Sequence, residues 1–160
     1  MKIQVLGLGS PILTDDGVGV HIVQELMKET LPLSVTLTIG GTGGAALLDM
    51  IEDCDRLIIV DAIQTGAPPG TIHELSLNDI KTIQPIHFGF LHGIDFFTSI
   101  QLKKKFHQKV PPEIIVIAVE AMDIHSFSEE CTPPVKNSMN QIVSLINTKC
   151  SAPFFLEKNN

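Results

Sequence analysis

What this chain lacks excludes several classes of protein. It has no basic face: 18 Asp+Glu outnumber 11 Lys+Arg, for a formal net charge of −7. Positive charge concentrates only at Lys103, Lys104 and Lys105. A nucleic-acid footprint is therefore not expected, and the lysine run reads as a solvated helix end. No run approaches the roughly 18 apolar residues that span a bilayer, so membrane insertion is not expected either. The apolar stretch after Met1 is too short for a signal segment. Cys54, Cys131 and Cys150 lie far apart without CxxC spacing. They read as free thiols in a reducing compartment, with the cytoplasm the expected location.

Three nucleotide and nucleophile motifs are also missing. After Gly7 and Gly9, the third position of a dinucleotide-binding turn is Ile12. No Gly-Lys-Ser/Thr tripeptide occurs, and Gly9-Ser10-Pro11 is not a nucleophile elbow. There is no internal repeat, no linker, no heptad and no long apolar surface run, so a monomer is the expectation.

What is present is an alternation of strand and helix patterns within 160 residues, 44% of them hydrophobic. Ile3 to Leu6, Leu57 to Val60 and Ile114 to Val119 are β-branched runs. The latter two are apolar almost without a break, as in strands covered on both faces. Val35 to Ile39 and Thr71 to Leu75 are weaker strand candidates, the second following an Ala67-Pro68-Pro69-Gly70 turn that suits an antiparallel or edge strand. Helical spacing recurs at Val18, Ile22, Val23, Leu26 and Met27, at Ala45, Leu48 and Ile51, and at Ile94, Phe97 and Ile100. A last helix runs through Val135, Met139, Ile142, Val143 and Ile146, with Thr132 as N-cap and Pro133 at its first position. The expected fold is an α/β three-layer sandwich with a twisted, mostly parallel central sheet of about five strands flanked by helices. One domain over residues 1–150 and a tail over 151–160 are expected.

Ligands of open α/β sheets bind beyond the carboxyl ends of the strands. The first strand leads to Asp15 and Asp16, the Leu57 to Val60 strand to Asp61, and the Ile114 to Val119 strand to Glu120. Asp15 and Asp16 also stand where the first helix should begin, where a carboxylate is favoured. Capping explains one of them, and the helix-weakening Gly17 and Gly19 suggest close approach of a backbone or a ligand. Of six histidines, His21 and His107 read as exposed, whereas His92, with His87 as its local competitor, opens a helical segment near the loop edge. One imidazole and two carboxylates suit a borderline divalent cation such as nickel, iron, zinc or manganese. Three protein ligands leave coordination positions open, as in reactive sites.

The spacing Gly7-x-Gly9, Asp15-Asp16-Gly17-x-Gly19 resembles the opening of the [NiFe]-hydrogenase maturation endopeptidases. The resemblance continues through Gly40-Gly41-Thr42, Leu57 to Asp61, the Pro69-Gly70 turn, His92 and the Thr132-Pro133 helix start. It implies an α/β sandwich that removes the C-terminal extension of a hydrogenase large-subunit precursor after nickel insertion. It further implies that Asp16, Asp61 and His92 are the metal-contacting and catalytic residues. The nickel would be carried by the precursor as recognition anchor, other divalent cations being able to occupy the site, and Gly40, Gly41 and Thr42 would contact the substrate. Two positions depart from the family pattern: Ser10 stands where Asn is common, and Ile39 where Asp is common. The segment Met122 to Cys131 matches no motif. Two alternative readings are a non-catalytic nickel-dependent accessory protein of the same fold and a related peptidase acting on an unrelated precursor.

Overall fold

Strands Ile3–Leu8 (β1), Val35–Gly41 (β2), Arg56–Ile63 (β3), Ile72–Ser76 (β4) and Glu113–Glu120 (β5) form one sheet in the order β2-β1-β3-β5-β4. The computed structural model describes residues 1–42, 46–76 and 93–152, apart from the side chains of 48, 93–95, 97 and 99. All pairings are parallel except β4 with β5, so β4 is the antiparallel edge strand that the Pro-Pro-Gly turn suggests. All six residues of β1 and all eight of β3 are buried. This is what continuous apolar runs require when helices cover both faces.

The helices are Val18–Leu26 (α1), Leu47–Met50 (α2), Gly93–Lys105 (α3) and Pro133–Ser151 (α4). Strand alternation sends Ile3, Val5, Ile58, Val60, Ile115 and Ile117 toward α1 and α4. Leu6, Leu8, Leu57, Ile59, Ile114 and Val116 meet Leu47 of α2 and Phe96 and Ile100 of α3 on the other face. These two cores make the three layers. Helix α2 is shorter than its sequence spacing suggests. Its end is held by buried Gln4 of β1, whose amide donates to the Met50 carbonyl at 2.7 Å and whose oxygen accepts the Glu52 amide at 2.9 Å. At the same end of the sheet, on the neighbouring strand, buried Arg56 pairs with Glu113 at 2.6 Å and donates to the Lys149 and Ala152 carbonyls, anchoring the last turn of α4.

From β1 the chain turns outward to β2, and from β3 it continues to the far side of the sheet. The order of strands thus reverses between β1 and β3, and the crevice at their carboxyl ends is the default ligand position of such a sheet.

Candidate functional site

β1 ends in a loop that closes into a 3-10 turn, Thr14–Gly17, which leads directly into α1 and packs against β3. Two glycines make this packing possible. A Cβ on Gly19 would stand 2.3 Å from the Val60 carbonyl oxygen, and one on Gly9, whose φ is +114°, would stand 1.7 Å from the Asp16 carbonyl oxygen. The close approach is therefore of backbone to backbone, and these two glycines serve the fold. Thr14 has φ +50°, a left-handed conformation that strains a β-branched residue. Its hydroxyl donates to the Ser126 carbonyl at 2.6 Å and its amide to the Ser128 carbonyl at 3.0 Å, which hold it there.

Asp16 is 4% exposed, and its Oδ2 accepts the Ser10 amide at 2.8 Å. Asp61 is 1% exposed and in phase with Ile59 and Ile63 of β3; its Oδ1 accepts the Ala62 amide at 2.8 Å. β3 does not stop at Asp61 but runs on to Ile63. Because the 3-10 turn packs against β3 and Gly19 abuts Val60, the fold brings these two buried carboxylates to the β1/β3 crevice. His92 and His87 lie outside the described residues. Among the described residues, no group of three or more His, Cys, Asp and Glu is arranged to hold a metal.

The other acids take different work. Neither Asp15 nor Asp16 caps α1, whose N-cap is Gly17 without a side-chain cap bond. Asp15, fully buried, accepts the amides of Met122 (2.9 Å), Asp123 (3.0 Å) and Thr132 (2.7 Å) together with the Thr132 hydroxyl (2.8 Å). Thr132 is the N-cap of α4 as its sequence suggests, with Pro133 beginning the helix, but its hydroxyl serves Asp15. The Met122 to Cys131 segment, unmatched by any motif, is thereby clamped to the turn that carries Asp16. Glu120 is withdrawn as well: it accepts the Thr65 hydroxyl and amide, the Gly66 amide and His73 Nε2 at 3.2 Å. Burial pushes its carboxyl up, but these hydrogen bonds outweigh burial, and its pKa lies below the ordinary glutamate value.

Sequence spacing did not reveal these roles, because the donors lie more than a hundred positions from Asp15. The one legible signal was the doubled acid, of which a helix start needs only one. His21 is a correction: it is partly buried rather than exposed, its Nδ1 facing Gln24 while Nε2 is buried without a hydrogen-bond partner. His107 is exposed, and the lysine run ends α3 in solvent as expected. At the end of β2, the Gly41 carbonyl accepts the Gly9 amide at 2.8 Å, and a Cβ on Gly40 would press on Leu6, Leu8 and Leu47. Ile39, beside them, is 41% exposed. A cleft of 330 Å³ lined by Lys2, Ser34, Glu52 and Asp53 lies at the opposite edge of the sheet and holds none of the strand-end acids.

A family model described as hydrogenase maturation protease matches residues 20–149. The chain belongs to the hydrogenase maturation protease family. The match includes Asp61 and begins just after Asp16. This member is 30% identical over 150 residues to the hydrogenase expression/formation protein HupD of Bradyrhizobium diazoefficiens, covering 93% of this chain and 76% of that protein. It is 32% identical over 132 residues to the Hydrogenase 2 maturation protease of Escherichia coli, covering 78% and 77%. Its fold matches the solved hydrogenase maturating endopeptidase HybD of E. coli with a TM-score of 0.77 at 27% identity, over 91% of this chain and 90% of that one.

Proposed function

We propose that this chain is an endopeptidase that removes the C-terminal extension of a [NiFe]-hydrogenase large-subunit precursor after nickel insertion. The observation that carries the reading is the pair of buried carboxylates, Asp16 and Asp61, at the β1/β3 crevice of a family fold. Two carboxylates and the His92 imidazole suit nickel, and also iron, zinc or manganese. The nickel arrives with the precursor and acts as recognition anchor. Asp16, Asp61 and His92 would hold it so that the scissile peptide lies against the strand-end loops; the metal would supply polarisation of the carbonyl or activation of a water, and one carboxylate would serve as general base. Gly41 and Thr42, at the end of β2, offer the neighbouring contact to the substrate, with Gly40 supporting them from the core side. The protein works in the cytoplasm as a monomer.

The test incubates the purified chain with candidate precursors, with and without nickel, and reads intact mass. Loss of the extension only from nickel-loaded precursor is the expected result. Asp16→Asn, Asp61→Asn and His92→Ala should each slow cleavage by at least about 100-fold; wild-type rates in any of them remove that residue from the site.

Exposed Ile39 favours a second reading. An apolar side chain stands where the family commonly has an acid, which suits a nickel-dependent accessory protein that holds a precursor without cutting it. In that case the precursor binds and its mass stays unchanged. Nickel-independent cleavage would instead indicate a peptidase for an unrelated precursor.

A further inference from the structure

Ile12, Met122 and Phe127 are large apolar side chains exposed by 51%, 62% and 83%. They belong to two segments far apart in sequence that the fold ties together. The Ser128 amide donates to the Ile12 carbonyl at 3.1 Å and the Thr14 amide to the Ser128 carbonyl at 3.0 Å, forming a parallel bridge between Leu13 and Ser128. Ile12 and Phe127 immediately precede the two bridge partners. Met122 is fixed by its own amide to Asp15, the neighbour of Asp16.

Single exposed apolar residues are ordinary, but a group of them on a hydrogen-bonded frame is the usual make-up of a binding surface. Cys131 and half-buried Ile124 tie the segment to the core, whereas Ile12, Met122 and Phe127 stay in water. The charge around it narrows the occupant. Glu129 and Glu130 are exposed next to Ser128, Glu130 pairing with Lys136 at 2.9 Å, and Asp123 lies in the same segment. Hydrogen bonds from Ser126 and the His125 amide lower the Asp123 carboxyl to about 2, so it stays ionised. With a net charge of −7, a second copy of this chain would be repelled. A peptide carrying apolar side chains beside a basic residue would be attracted.

We propose that Ile12, Met122 and Phe127 form the docking surface for an extended apolar and basic stretch of the polypeptide being processed, and that the Met122 to Cys131 segment is a specificity element. This rests on the peptidase reading. The surface adjoins the turn bearing Asp16, so a chain seated on it is led directly to the acids.

The double variant Ile12→Ser/Phe127→Ser tests this, with Phe127→Leu as the conservative control and thermal melts to show that both fold. Cleavage of nickel-loaded precursor and calorimetric binding of nickel-free precursor are measured in parallel. We expect KM and Kd to rise by about tenfold or more in the double variant while kcat stays within about twofold. Phe127→Leu should remain close to the wild type. Unchanged KM and Kd, or a loss confined to kcat, would overturn the proposal. Phe127-dependent binding of a precursor that the wild type never cleaves would sink the peptidase reading and leave the docking surface standing. Absence of both binding and cleavage rejects both. Self-association in sedimentation that the double variant abolishes, with precursor binding unaffected, would make a second copy the occupant and refute this assignment.

Discussion

Asp15 is wholly buried, and amides of Met122, Asp123 and Thr132 and the Thr132 hydroxyl all point at its two oxygens. Every one of these groups donates, so the site is satisfied only by a side chain that accepts everywhere. Asp15→Asn replaces one oxygen with a donor and sets N–H against N–H. The expected loss is on the order of 3 kcal/mol of stability, read from the urea midpoint at unchanged slope. Asp16, one residue on, is under a different demand, with the Ser10 amide at 2.8 Å on its Oδ2. Asp16→Asn keeps an acceptor for that amide, so the loss of activity expected under the proposed function should come with a smaller loss of stability than Asp15→Asn shows. Opposite outcomes in the two variants would separate the acid that builds the turn from the acid that works in it.

Among the larger elements, the β3–β4 loop depends on one charge. Glu120, at the last position of β5, holds Thr65 and Gly66 of that loop and His73 of β4. Its folded-state pKa is depressed below the unfolded glutamate value of about 4.3. The stabilisation is therefore complete above that pH and is lost as pH falls through the lower folded pKa. Glu120→Gln should be less stable than the wild type near neutrality and should lose less on acidification, so the two urea midpoints converge as pH falls below the unfolded glutamate value. A constant gap across that range would show that Glu120 contributes by shape alone. Strands and long helices were legible because their patterns repeat locally. The 3-10 turn was not, since nothing periodic marks it and its residues are held by Ser126, Ser128 and Asp123. Helix α2 was overestimated because its end is decided by Gln4 on a distant strand.

Across the whole molecule, two apolar cores enclose the sheet, and all three cysteines are buried in them. Burial pushes the Cys131 thiol up to about 12, with the Asp15 charge adding to it, and burial pushes Cys54 up to about 11. Cys150 is raised by burial as well. Thiolate is the reactive form. The native chain should therefore resist Ellman's reagent at about pH 8, releasing its full complement of three thiols only in denaturant. Prompt reaction of the native protein would contradict the burial of these residues. No helix among the described residues is long and apolar enough to cross a membrane.

Of the residues proposed for a metal site, Asp16 and Asp61 are buried on the 3-10 turn after β1 and on β3, which pack together, while His92 lies outside the described residues. Layer architecture, strand direction and the positions of these two acids were already implicit in the chain, because apolar period and acid-after-strand placement are properties of neighbouring residues. The division of labour among the carboxylates came only with folding. Asp15 finds Thr132 across 117 positions and Glu120 finds Thr65 across 55, so which acid becomes a structural clamp and which is left at the crevice depends on distances that only the packed sheet sets.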